Sequence, residues 1–223
     1  MGYLLIVFLT CCACAAQSIA IGAIGGGRLT DDVSSFRSPE SNIVGVEPGV
    51  QLQSRFYAVG PTIEIGLPHG FAVEFDAVYH RQGFFYSVYH DTFYYTDRER
   101  DNSWEFPLLL KYKLRFSVLN PFVEAGVVPR TITGRAVLTG QTDFITLGPP
   151  STSSLATNYS PSVGFIAGGG LQFNLGHLRL APQVRYTRWA TAPVGGYDDT
   201  VGGTYSSNQN QVDVLVGISW KVK

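Results

Sequence analysis

The residues whose types could do chemistry are four histidines, three cysteines and a set of alternating charges. The histidines are His69, His80, His90 and His177. A hydrolytic centre would need a hydroxyl within reach of an imidazole that a carboxylate itself orients. None of the four has a Ser two residues away on the same strand face. His69 and His177 lie in the short turn-like stretches LPHG and NLGH, with no evident hydroxyl partner. His80 follows Asp76 at strand spacing and is expected to join a charge network rather than act as a base. His90 lies in YHDTFYY, where hydroxyl groups are near, and is the one placement a base could use. Metal ligation is poorly served, because no two histidines are closely spaced and Cys11, Cys12 and Cys14 all fall in the first 15 residues. The glycines at 25–27 and 168–170 do not match a phosphate loop, which needs a helix after it. They fit close backbone approach or bends in strands. No catalytic residue, cofactor or metal is therefore expected.

The charges are different, because their spacing is regular. Trp104, Phe106, Leu108, Leu110, Tyr112, Leu114 and Phe116 form one apolar face, and Glu105, Pro107, Leu109, Lys111, Lys113 and Arg115 lie between them. A helix would scatter those charges around its stripe, whereas a strand sends alternate residues to opposite faces. The same period of two recurs around 57–67, 71–80, 163–173, 178–186 and 212–220, and more weakly in 19–29 and 121–130. This predicts eight strands. One face of them collects the acids Glu64, Glu74, Asp76, Glu105, Glu124 and Asp213. The same face collects the bases Lys111, Lys113, Arg115, Arg130, Arg179 and Arg185.

The connections narrow the architecture. Those at 67–70, 116–121 and 174–177 are tight, while 30–55, 86–102, 134–160 and 190–210 are long and polar, and the two kinds alternate strictly. A soluble sandwich has no reason to sort its loops in this way. An all-β, eight-stranded antiparallel up-and-down transmembrane β-barrel does, with short periplasmic turns and long outer loops. The composition permits it: of 223 residues only 15% are charged, with 25 Gly, 14 Phe and 12 Tyr. A net charge of −1 gives no basic stripe for nucleic acid. Residues 4–9 are an apolar run followed by small residues, and Ala13-Cys14-Ala15 fits a signal-peptidase site. The expected division is a signal peptide at 1–15 and a barrel domain at 16–223; lipidation at Cys12 and an uncleaved anchor are the alternatives.

SWEFPLLLKYKLRF (103–116) and the closing VDVLVGISW (212–220) carry a resemblance to the small outer-membrane β-barrel family, similar to the OmpA/OmpX transmembrane domain. Lys221, Val222 and Lys223 follow Trp220, a departure from the terminal aromatic usual in that family. The resemblance implies export to the cell outer membrane. It also implies contact with outer-membrane lipid and lipopolysaccharide, and recognition by the barrel-assembly machinery.

An eight-stranded barrel is just wide enough inside for side chains to fill it, and charges there must be paired. The twelve inward charges are thus expected to plug the lumen with ion pairs; a narrow ion path is the alternative. Tyr57, Tyr79, Trp104 and Trp189 are expected in one interfacial girdle, and Phe116, Phe173 and Trp220 in the other. In the second long connection Tyr86, Tyr89, His90, Phe93, Tyr94 and Tyr95 are candidates for recognition of an unspecified surface ligand. The alternative there is a strand pair that simply continues as a hairpin. The function expected is non-enzymatic, structural or surface-interacting, with a small pore next and a lipid-A-modifying enzyme third.

Overall fold

The computed structural model describes residues 18–37, 47–90, 93–114, 116, 119–142, 150–192, 195–198 and 203–222. The cysteines, the 1–15 segment and Arg115 lie outside them. The strands are β1 (Ser18–Arg28), β2 (Val33–Arg37), β3 (Glu47–Leu52), β4 (Tyr57–Gly66), β5 (Phe71–Asp76), β6 (Val78–His90), β7 (Phe93–Glu105), β8 (Leu108–Lys113), β9 (Leu119–Thr142), β10 (Ser151–Asn158), β11 (Ser162–Leu175), β12 (Leu178–Trp189), β13 (Gly195–Asp198), β14 (Gly203–Ser207) and β15 (Asn210–Lys221).

Eight continuous staves make the wall, in the order β1, β4, β5 with β6, β8 with β7, β9, β11, β12 and β15, and β15 pairs back onto β1. The breaks at Ala77 and at Phe106-Pro107 do not shift the register: Thr62↔Asp76 and Ala58↔His80 lie on one antiparallel alignment. What interrupts the ladder is proline, which lacks an N–H to donate. Opposite the breaks, Ala77 N–H donates to the carbonyl of Pro61, Asp76 N–H to Pro107 and Phe106 N–H to Pro129.

Ring and register can be followed together. Hydrogen-bonded neighbours run Ser18, Gly66, Ala72, Lys111, Glu124, Gly168, Arg185, Asp213 and back to β1 at Arg28. One circuit thus returns to the same strand ten residues further on, the stagger that tilted strands require for closure. The two segments with weaker alternation, 19–29 and 121–130, both form full staves. In β1 the inward positions are mostly small; a Cβ on Gly22 would come within 2.0 Å of the Ile218 carbonyl oxygen, so the closing seam has no room for one.

The faces follow the alternation. Leu110, Val123, Phe165, Val184 and Ile218 are exposed outside, while Lys111, Glu124 and Arg185 are buried inside. Two tight turns use left-handed backbone: His69 (φ 61) with Gly70 (φ 89), and Gly176 (φ 67). At the other end the staves extend beyond the ring. The β6–β7 ladder runs unbroken from Val78↔Glu105 to His90↔Phe93, so this connection is the continued hairpin rather than an open loop. β3 flanks β6, β10 flanks the outer half of β9, and β2, β13 and β14 form a small second sheet.

Candidate functional site

Three charge clusters are stacked along the lumen, and each is held by the fixed inward positions of the staves. In the middle lies Arg185 of β12. Its Nε donates to Glu124 (2.8 Å), and its two terminal nitrogens donate to Asp76 and Glu74 (2.7 Å each). Glu74 and Asp76 sit on the stave directly opposite β12 in the ring, so one guanidinium ties facing walls together. Lys111 completes the cluster, 2.6 Å from Glu74 and 3.2 Å from Glu124.

Gly168 stands between Glu124 and Arg185 on the hydrogen-bonded row. A Cβ there would lie 3.1 Å from Glu124 Oε1, 3.2 Å from Arg185 Cγ and 2.6 Å from the Val184 carbonyl oxygen. The missing side chain is what lets the pair meet across an intervening strand.

Toward the short turns, Glu64 accepts from Lys113 (2.5 Å) and Arg179 (2.8 Å), and Lys113 also donates to Gln172 (2.6 Å). A vestibule of about 450 Å³ opens here, lined among others by Glu64, Lys113, Gln172 and Arg179. Inward of it, beside Glu74, Lys111 and Gln183, the free volume falls to about 20 Å³.

Toward the outer mouth, Arg28 donates to Glu105 (2.9 Å), Asp213 (3.0 Å) and Asp32 (3.3 Å). Gln211 donates to Asp213 (2.7 Å) and accepts from Trp189 Nε1 (2.9 Å). Arg130 lies over the Trp189 ring at 3.6 Å and donates to Ser162 (3.2 Å). His80 pairs with Asp32 (3.0 Å) and with the Tyr57 carbonyl (3.0 Å) rather than with Asp76. Both ring nitrogens are therefore occupied, and neither reaches a hydroxyl. Among the described residues no group of three metal-binding side chains occurs.

Of the twelve inward charges expected from alternation, eleven are described. Ten of them take part in the ion pairs above, and Arg130 makes a ring contact instead. Two expectations need correction. Trp189 is 1% exposed and faces inward, as the odd positions of β12 do, so it is not in the exterior girdle. Tyr86 is 4% exposed on the inward face of β6, so its side chain is not presented to a surface ligand. Tyr94 and Tyr95 are half-buried on β7, and the side chains of Tyr89, His90 and Phe93 lie outside the described residues. Alternation did not single out Arg28, Asp32, Glu99 or Asp101, although Arg28 ends β1 on the inward parity.

Above the exterior Tyr79–Trp104 ring pair (centroids 5.2 Å apart), β7 carries a second inward group. Glu99 and Asp101 are buried there without an ion-pair partner among the described residues. Tyr159 donates to Glu99, and Thr157 of β10 donates to Asp101 (2.9 Å). Burial lifts Glu99 from 4.5 to about 8; the Tyr159 bond opposes this, and Asp101 adds to it. Asp101 is raised too, chiefly by burial. A carboxyl with a raised folded pKa contributes stability that is complete below its unfolded pKa and is lost as pH rises toward the folded one. The hold of residues 151–159, which pair with β9 and reach β7 through Thr157 and Tyr159, is thus expected to weaken from about pH 4.5 to about pH 8. Hydrogen exchange of that segment against pH should show it, and Glu99→Gln should flatten the profile.

A closed eight-stranded wall with an apolar exterior and a paired, charged interior defines the small outer-membrane β-barrel fold, the OmpA/OmpX type. No protein-family model and no curated protein matches the chain. Among solved structures it is similar to the outer membrane protein OprG of Pseudomonas aeruginosa, with a TM-score of 0.54 and 14% identity over 93% of this chain and 96% of that one. The N-terminal β-barrel domain of OprF from the same organism aligns with a TM-score of 0.42 and 11% identity, over 92% and 98%. Neisserial surface protein A aligns with 0.44 and 10%, over 91% and 96%. The OprG likeness supports the fold.

Proposed function

We propose that the chain is a non-enzymatic outer-membrane barrel, closed along its axis, that acts through its outer surface in a structural or surface-interaction role. The observation that carries this is Arg185, whose bonds to Glu74 and Asp76 join opposite walls across the middle of the lumen. Ions crossing there would have to break charge-assisted bonds in a low-dielectric interior. The exterior supports membrane placement: between the short turns and the Tyr79–Trp104 pair the described residues of the staves present an apolar outer face without charge. Export by cleavage after Ala15, insertion by the barrel-assembly machinery, and contact with outer-membrane lipid and lipopolysaccharide belong to the same reading.

In planar bilayers the purified protein is expected to give no steady conductance. Reproducible unitary steps would replace this reading with a small pore entered from the 450 Å³ vestibule. Lipopolysaccharide incubated with the protein is expected to keep its acyl chains by mass spectrometry. Loss of a chain would restore the enzyme reading, with His90 as the first residue to test.

A further inference from the structure

On the outward faces of the described staves, every ionised side chain is an arginine: Arg81, Arg98, Arg100, Arg135 and Arg188. Four of them gather on one wall. Arg100 is the register partner of Arg135, and Arg81 is two residues beyond Tyr79 on the neighbouring β6. Arg55 joins them, since its backbone N–H donates to the Arg81 carbonyl (2.8 Å). Arg55, Arg81 and Arg100 line an open cavity of about 510 Å³ with Gln53, Ser54 and Gln82, and among the described residues no carboxylate contributes to it. Among the described residues no ion pair engages these three arginines, in contrast to the lumen, where Arg28, Arg179 and Arg185 each meet a carboxylate.

We propose that this cavity is a site for the phosphate group of a membrane lipid headgroup. Height and chemistry both support that occupant. Two strand residues span about 7 Å, so Arg81 lies just outside the Tyr79–Trp104 pair, where aromatic side chains mark the membrane–water boundary. Guanidinium groups bind phosphate oxygens through paired, charge-assisted hydrogen bonds and remain charged at every accessible pH. Facing sideways from the wall, the cavity meets a headgroup anchored in the adjoining leaflet, whereas a soluble anion would have no cause to prefer this height. The inference rests on the membrane placement proposed above.

The test uses the full barrel in dodecyl maltoside micelles, which carry no phosphate, doped with diphosphoryl lipid A, and reads bound lipid by native mass spectrometry and by titration. The wild type should bind at least ten-fold more tightly than the triple variant Arg55→Gln, Arg81→Gln, Arg100→Gln. Arg188→Gln, on a different stave, should bind like the wild type. Heat-modifiable gel migration checks that each variant is folded; should the triple variant fail, Arg100→Gln alone should weaken binding about three-fold or more. Equal binding by wild type and folded variant would overturn the proposal. So would inorganic phosphate displacing the lipid at its own affinity, which would make the cavity a free-anion site. Insertion into phosphatidylcholine vesicles without lipid A is a separate arm: failure there sinks the membrane placement, whereas insertion with variant-insensitive lipid binding sinks only the site.

Discussion

Arg185→Ala is expected to destabilise the barrel by about 3–5 kcal/mol, the range for removing one partner of a buried ion pair. The variant leaves Glu74, Asp76 and Glu124 facing Lys111 alone, three buried carboxylates against one buried ammonium. Urea unfolding in phosphatidylcholine vesicles, followed by the gel shift between folded and unfolded forms, would measure it. Arg185→Lys should lose less, because the charge stays but a single ammonium cannot reproduce three directed bonds to three acids. Combining Arg185→Met with Asp76→Asn and Glu124→Gln should recover much of the loss, since the excess negative charge leaves with the cation. An Arg185→Ala barrel as stable as the wild type would mean that the central cluster does not hold the walls together.

The second large effect is expected at a residue with no side chain. Gly168→Val should cost about 3 kcal/mol or more, combining steric overpacking with separation of Glu124 from Arg185. The nearest obstacle to a Cβ is the Val184 carbonyl oxygen at 2.6 Å, and backbone cannot swing aside as a side-chain end can. Gly164, on the same face of β11, is the comparison. There the nearest atoms belong to the Trp189 and Thr187 side chains, so Gly164→Val should be milder than Gly168→Val. Equal losses at the two positions would show that crowding alone, and not the ion pair, makes Gly168 necessary.

Much of the wall was legible because a strand exposes its two faces as two interleaved subsequences. Residues 104–116 show this best, and every described member points as the alternation requires. β1 is faint because its inward residues are mostly Ala, Gly and Ile, which differ little from its outward ones, and Arg28 at its end is faint with it. Trp189 departs from expectation for a different reason: its chemistry suits an interface, but its parity, shared with Arg185 and Gln183, sends it inward. Glu99 and Asp101 are hard to read from sequence because a charged stretch between strands resembles solvated loop, although the alternation runs through them. Which charges meet was not legible, because that depends on how far each stave is staggered around the ring. Asp32 is the plainest case, reaching His80 from a connection with no period of its own.

The long reach of the ion pairs bears on how such a wall could be completed. Arg28 and Asp213 are 185 residues apart in the chain, and Arg185 and Glu74 are 111 apart. Among the described residues every lumen bridge except the two to Asp32 joins different staves, so an open sheet lacking β15 would leave Arg28 without Asp213 and would expose two unpaired edges. In lipid both faults are costly, because neither a lone charge nor an unmet backbone group finds water there. The interior thus works as a test of completeness: incomplete barrels are penalised by their own charges, and only the closed ring brings together the bridges between its first and last staves.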